Sequence, residues 1–293
     1  MIQFKDQALL VTGASGNFGR LAVEALLERG ATNIIAGTRK PEQLADLSDR
    51  GVSVRRVDFD DPASLSTGFA GVDRVLIIST DGIGKRVAQQ TAAIGAAKAA
   101  GVRHIVYTSA PAARPNADAG LAGEHFWTEV AIAQSGVDFT ILRNHMYAEN
   151  NLADAAHVIA SGQLFGLIGD GGTAYVTRAD AARTAAGALL TATGKTIEDV
   201  SRPAPVTNAE RAALYTELSG KPVSSIAITA PALRAGMVAA GLPEAFAEAL
   251  VAFQTDAVLG FHGVVTDTVE RLSGRKPQSL AEFLGDHRAA LVA

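Results

Sequence analysis

The apolar run Ala8-Leu9-Leu10-Val11 leads at once into Gly13-Ala14-Ser15-Gly16-Asn17-Phe18-Gly19, followed by a Leu-, Ala- and Glu-rich stretch from Arg20 to Arg29. A strand feeding a glycine-spaced turn and then a helix leaves few folds open to the chain. Gly13 and Gly16 permit a tight turn and let backbone approach a pyrophosphate, and Gly19 lets the helix pack closely on the strand. N–H groups at the helix start, around Ser15, Asn17 and Phe18, attract phosphate through the helix dipole. The motif, placed between strand and helix, therefore points to a bound dinucleotide.

Strand and helix go on alternating through the first 145 residues. Strand-like runs stand at Ala8–Thr12, Asn33–Gly37, Val52–Val57, Arg74–Ser79, Arg103–Ser109 and Asp138–Arg143, with helical stretches near 19–29, 41–49, 62–69, 85–101 and 122–135. Asp61-Pro62 has the chemistry of an N-cap and first turn. Gly30, Gly51, Gly71, Gly101 and Gly136 stand where helices should end. Such alternation predicts an α/β fold of the Rossmann type, a doubly wound parallel sheet whose ligand lies beyond the carboxyl ends of the strands.

The pattern loosens after Asn150. Expected there are a helix near 152–161, a strand Leu164–Ile168, the turn Gly169-Asp-Gly-Gly172 and a helix led by Arg178 or Asp180 through 192. Strands at 204–207 and 222–228 and helices at about 208–219, 230–241, 243–257 and 277–291 complete the chain. The Ala-rich stretch Ala230–Ala252 is expected to form helix packing surface. Residues 1–150 and about 176–200 are read as the dinucleotide domain. About 151–175 and 201–293 are read as a smaller, interleaved α+β lobe that shapes the substrate pocket.

Composition removes several classes. A net charge of −4 and a pI near 5.9 argue against nucleic acid or an anionic membrane as partner. No apolar run approaches the roughly 20 residues that span a bilayer, and strand one begins too early for a signal peptide. Absence of cysteine excludes disulfides and a thiol nucleophile and fits a cytoplasmic chain. Six scattered histidines without ligand spacing predict no metal.

Residues at the strand ends define the cofactor. An adenosine ribose 2′-hydroxyl is usually held by an acid at the end of strand two, but here that strand ends Thr38-Arg39-Lys40. Two cations suit a 2′-phosphate, which a carboxylate would repel, so NADP(H) is expected. Asp58 and Phe59 are expected at the adenine, and Ser79 and Thr80 at the pyrophosphate and ribose. Tyr107, Thr108 and Ser109 are expected to approach the nicotinamide, joined by Asn144 from strand six.

The glycine spacing, strand five ending in Tyr107-Thr108-Ser109 and the two-lobed layout resemble the extended short-chain dehydrogenase/reductases. That superfamily generally works with a Tyr-x-x-x-Lys pair on the helix after strand five, the lysine lowering the tyrosine pKa. Ser109 matches the superfamily serine, but His125 and Glu129 stand in the Tyr and Lys positions. Ordinary ketone/alcohol chemistry and sugar-nucleotide epimerisation are therefore not expected.

Four stretches narrow the resemblance. Gly13–Gly19, Ala97-Lys-Ala-Ala-Gly-Val-Arg-His-Ile-Val-Tyr-Thr-Ser109, Glu124-His125 with Thr128-Glu129, and Ile141-Leu-Arg-Asn-His-Met-Tyr-Ala-Glu-Asn150 look like the atypical, NmrA-like members. Among these the chain is most similar to bacterial NADPH:quinone oxidoreductases of the quinone oxidoreductase 2 type, with triphenylmethane-dye reductases next. The resemblance implies hydride transfer to a small-molecule acceptor, a quinone or a similar planar conjugated compound. A hydroquinone anion spreads its charge over a ring and needs little acid help, so orientation can supply most of the catalysis.

It also implies that Asn150 orients the acceptor carbonyl or stabilises its developing charge, the alternative being a helix N-cap. Tyr147 either stacks on the acceptor or packs in the core. His145 either protonates product or projects to solvent. Dye, azo or imine reduction is a second activity consistent with the resemblance. A redox sensor that binds NADP(H) without turnover is a third reading, and a monomer or homodimer fits equally.

Overall fold

The computed structural model describes residues 4–115, 121–202 and 204–292. Its strands are β1 (Leu9–Val11), β2 (Ile34–Thr38), β3 (Ser53–Arg56), β4 (Arg74–Ile77), β5 (His104–Ser109), β6 (Asp138–Asn144), β7 (Gln163–Leu167), β8 (Lys195–Val200) and β9 (Ser224–Ile228). Seven form one parallel sheet in the order β3-β2-β1-β4-β5-β6-β8, while β7 and β9 pair in parallel by themselves. The Rossmann-type expectation holds. Strand order reverses between β1 and β4, where a dinucleotide crevice should open.

The α-helices of the first half are α1 (Asn17–Glu28), α2 (Ala45–Ser48), α3 (Pro62–Gly68), α4 (Arg86–Ala99) and α5 (Leu121–Ser135). After them come α6 (Ala155–Ser161), α7 (Arg178–Thr191), α8 (Asn208–Ser219), α9 (Ala230–Ala239), α10 (Glu244–Val258), α11 (Thr268–Ser273), α12 (Leu280–Asp286) and α13 (Arg288–Val292). Alternate residues of the central strands bury opposite faces, as a sheet covered on both sides requires. Leu10, Ile35, Val75, Ile77, Ile105, Tyr107 and Ile141 pack in one cluster with Leu65, Phe69, Ile94 and Ile132 from the helices. Asp61 caps α3 by accepting the Ala63 and Ser64 N–H groups, as its sequence position implied. Gly30, Gly51, Gly71, Gly101 and Gly136 all adopt positive φ.

Packing divides the chain into two compact units. One comprises Met1–Asn144, Arg178–Val200 and Thr268–Lys276; the other comprises His145–Thr177, Ser201–Asp267 and Pro277–Ala293. The first is the parallel sheet with its helices. Helix α7 packs on β4, β5 and β6, buries small residues along much of its length, and approaches α11 so closely that a Cβ on Gly187 would overlap the Leu272 carbonyl. Arg74, at the start of β4, donates to the carbonyls of Leu189 (2.6 Å) and Ala192 (2.6 Å), tying the sheet to the α7 carboxyl end. The second unit buries Ala148, Val158, Ile159, Leu164, Tyr175, Tyr215, Phe283 and Leu284 together.

Several local expectations fail. Lys195–Val200 was not foreseen as a strand, nor Thr268–Ser273 as a helix. The strand at 204–207 is reduced to a single bridge between Thr173 and Val206, and the last helix breaks at His287. Ala230–Ala252 is mostly exposed: α9 buries only Leu233, and α10 only Ala247 and Asp256. Small side chains here give the helices little to bury. Trp127 on α5 is half-exposed and meets Phe126 edge-on at 5.2 Å.

Candidate functional site

The glycine loop leaves β1 through Gly13, whose φ of 62° suits glycine, and turns back as the Gly16 N–H bonds the Gly13 carbonyl at 3.0 Å. Gly19 lies directly over this turn. A Cβ there would overlap the Gly13 carbonyl oxygen and stand 2.8 Å from the Ala14 Cα. Gly16 caps α1 with no side chain, and no acidic residue occupies the first turn. The helix start therefore offers N–H groups and a positive dipole end with no carboxylate to oppose an anion.

Hydroxyl groups stitch the neighbouring strand ends to this loop. Ser15 and Thr38 hydroxyls are 2.8 Å apart, joining the loop to the end of β2. Thr12 Oγ1 donates to the Leu76 carbonyl (3.1 Å) and accepts the Ile78 N–H (3.0 Å). Thr108 Oγ1 accepts the Ser79 N–H (2.9 Å) and donates to Ser79 Oγ (3.3 Å). Ser15, Thr38, Ser79, Thr80, Thr108 and Ser109 stand at the carboxyl ends of the four adjacent strands β2, β1, β4 and β5.

Arg39 and Lys40 follow β2, exposed, and make no ion pair among the described residues. Neighbouring arginines are committed elsewhere: Arg20 to Asp46, Arg50 to Glu24, and Arg56 to Asp58 and Asp61. Asp58 carboxylate oxygens also accept the Asp60 N–H, and Phe59 is half-buried beside them. A glycine cradle, an uncapped helix start and two unspent cations at the end of β2 fit a dinucleotide that carries a ribose phosphate.

Helix α5 carries the largest departure from the expected chemistry. His125 is buried, with its Nδ1 2.9 Å from the Tyr107 hydroxyl and its Nε2 3.4 Å from the Arg86 guanidinium. A guanidinium only donates, so Nε2 accepts and the ring proton sits on Nδ1. Burial first, and the Arg86 charge second, hold His125 down to about 3, so the ring is neutral near pH 7. Tyr107, expected near the nicotinamide, is instead fully buried, its hydroxyl also reaching Gln90 at 3.4 Å. Burial pushes that phenol above its ordinary value. The side chain of Tyr107 belongs to the face of the sheet that packs on the helices, because it shares parity with Ile105 and Ile77.

Glu129 accepts the Ser109 hydroxyl at 2.6 Å and a two-pronged contact from Arg143, 3.0 Å from Nε and 2.7 Å from Nη2. Sequence reasoning missed Arg143 as its partner. The signal was available, since a buried acid in a lysine position requires a cation and Arg143 ends the adjacent strand. Because the carboxylate can only accept, the Ser109 proton is committed to it and Ser109 can only accept from a ligand.

His145, one of whose readings placed it in solvent, is 1% exposed; its Nδ1 lies 3.2 Å from the His262 carbonyl. The His262 ring in turn lies 4.3 Å from the Phe253 ring, tilted by 56°. Asn150 is exposed within the 3-10 turn Ala148–Leu152 and donates to Met146 Sδ at 3.0 Å. Tyr147 caps that turn, so the N-cap reading of Asn150 is corrected. Tyr147 is half-buried and its backbone bridges to Val176. Asn144 is buried at the end of β6. Among the described residues no group of His, Asp or Glu side chains has the arrangement of a metal site. No described helix is long and apolar enough to cross a membrane.

Comparison with known proteins agrees with this geometry. A model of the NAD(P)H-binding family matches residues 13–192. Quinone oxidoreductase 2 of Escherichia coli (strain K12) is 37% identical over 94% of this chain and 96% of its own length. The crystal structure of NADPH-dependent quinone oxidoreductase from E. coli, complexed with NADPH, superposes with a TM-score of 0.89 at 34% identity, covering 95% of this chain and 99% of that one. Triphenylmethane reductase of Citrobacter sp., complexed with NADP(H), gives 0.86 at 32% identity with coverage of 95% and 99%. From the glycine cradle to these oxidoreductase relatives the observations agree, and the chain belongs to the NAD(P)H-binding family.

Proposed function

We propose that this chain is an NADPH-dependent reductase of quinones or similar planar conjugated acceptors, working without a Tyr-Lys pair. The observation that carries the reading is the inward face of α5. His125 is neutral and enclosed, and Glu129 is locked to Arg143 and Ser109, so neither position supplies an acid near the strand ends. An acceptor whose reduced form is stabilised by its own ring suits such a site. Bound NADPH supplies the hydride. In this reading the loop Gly13–Gly19 holds the pyrophosphate and Arg39 with Lys40 the 2′-phosphate. Asp58 and Phe59 flank the adenine, and Ser79 and Thr80 the ribose. Ser109 accepts the nicotinamide carboxamide N–H, with Thr108 and Asn144 alongside. Asn150 is assigned to orient the acceptor carbonyl and Tyr147 to stack on the acceptor. His145 is assigned the product proton only if its bond to His262 opens.

Stopped-flow loss of NADPH absorbance with benzoquinones and naphthoquinones tests the proposal. Saturable acceleration is expected, and no acceleration by any acceptor overturns it. Triphenylmethane and azo dyes belong in the same panel because the chain is similar to a triphenylmethane reductase of Citrobacter sp. and to an NAD(P)H azoreductase of Xenophilus azovorans. Equal affinity for NADP+ and NADPH with no turnover would instead make the chain a sensor.

A further inference from the structure

The segment that leaves β4, Ser79-Thr80-Asp81-Gly82-Ile83-Gly84, stands at the reversal of strand order beside the glycine loop. A Cβ on Gly13 would meet the Ile78 Cβ at 3.8 Å, and the Ile78 N–H bonds Thr12. Two buried, oppositely charged side chains grip the two ends of this segment. Arg86, opening α4, donates from Nε to the Thr80 carbonyl at 2.7 Å. Glu124, on α5, accepts the Gly84 N–H at 2.7 Å. The two grips face each other, with Arg86 Nη1 3.9 Å from Glu124 Oε2 at 8% and 3% side-chain exposure. A third tie runs from the Thr80 hydroxyl to Gln89 Oε1 (2.9 Å) and from Gln89 Nε2 to Asp60 (2.8 Å), reaching the loop after β3.

Charge buried at this depth is costly, and a pair of apolar residues would hold α4 to α5 at less expense. What apolar residues could not do is grip a carbonyl at one end of a loop and an N–H at the other. We propose that Arg86 and Glu124 act as positioning residues, a charged staple that fixes the Thr80–Gly84 wall of the dinucleotide crevice and so sets NADPH affinity. The inference rests on reading the carboxyl ends of the sheet as the NADPH site. Neither residue is assigned contact with the reacting atoms.

Fluorescence titration with NADPH, alongside thermal melts, tests it in Glu124→Ala, Glu124→Gln and the double variant Arg86→Met/Glu124→Leu. Loss of a charge-assisted bond is expected to raise the NADPH Kd about tenfold in Glu124→Ala. Glu124→Gln keeps an acceptor for Gly84 and should recover part of the loss. The double variant removes both buried charges but leaves the Thr80 carbonyl, the Gly84 N–H and His125 Nε2 without these partners. Its Tm should therefore lie above that of Glu124→Ala, which keeps an unpaired buried arginine, while its Kd stays raised. KM for NADPH should rise with the Kd, and kcat should change less. A double variant that regains both Tm and affinity, or a Kd unmoved in all three, overturns the staple. Failure of the wild type to bind NADPH would overturn the site reading itself, and the staple with it.

Discussion

Gly19 illustrates how one missing atom sets a binding loop. Its Cβ position is occupied by backbone of Gly13 and Ala14, which cannot swing aside as a side chain could. Gly19→Ala should therefore displace the loop and raise the NADPH Kd at least about tenfold, measured by calorimetry, with far-UV circular dichroism unchanged. The role proposed for Arg39 rests on charge. Arg39→Ala should weaken NADPH by about tenfold and leave NADH within about twofold, because only the former carries the 2′-phosphate. Equal losses for both dinucleotides would remove Arg39 from that role. The positions of both residues, Gly19 over the turn and Arg39 just beyond β2, were legible in the sequence, because each is fixed by its immediate neighbours in the chain. The partnerships Glu129–Arg143 and Glu124–Gly84 were not, since each joins separate elements that only the tertiary fold brings together.

The elements differ in the same way. Strands β1, β4, β5 and most of β6 are buried on both faces, and short apolar runs such as Leu9–Val11, Val75–Ile77 and Ile105–Tyr107 mark them, so the core of the sheet was visible in advance. Strand β8, Lys-Thr-Ile-Glu-Asp-Val, lies at the sheet edge, and most of its residues meet water, so its composition gives no strand signal. Helix α11 is short and is specified by the glycine contact that α7 offers it. Burial also sets the acid response of the elements. His104 on β5 and His125 on α5 are each held at about 3, by burial first and then by Arg74 and Arg86 respectively. Unfolded histidine titrates near 6.5. Between about pH 3 and 6.5 the unfolded chain therefore binds protons that the folded one does not. Their contribution is intact above about pH 6.5 and declines as pH falls, by about 1.4 kcal/mol per unit for each histidine. Urea midpoints from pH 8 to 4 should follow that slope, and His104→Asn should flatten it by about one proton. A slope unchanged in the variant would mean that His104 titrates normally in the folded protein.

For the molecule as a whole, the first compact unit is assembled from three stretches of chain and the second from three others. Residues 1–144 alone would lack α7, β8 and α11. Strand β6 would then lose one of its two partners, keeping only β5, and Arg74 would lose the carbonyls of Leu189 and Ala192. A fragment ending at Asn144 should consequently fail to give a cooperative thermal transition, whereas the full chain should give one. A cooperatively melting, NADPH-binding fragment would show that the later segments are dispensable to the sheet. The return of Thr268–Lys276 to the first unit was the part least legible in sequence, because composition does not mark that point where the chain leaves one unit for the other.

Trp127, the chain's single tryptophan, lies on the outer side of the helix whose inner side carries Glu124, His125 and Glu129. Its indole already meets water in the folded protein, so denaturation should shift the emission colour little. Reduced nicotinamide absorbs in the band where indole emits. Docking of the reduced cofactor should therefore darken this lamp by energy transfer, while the oxidised form, which does not absorb there, should leave it bright.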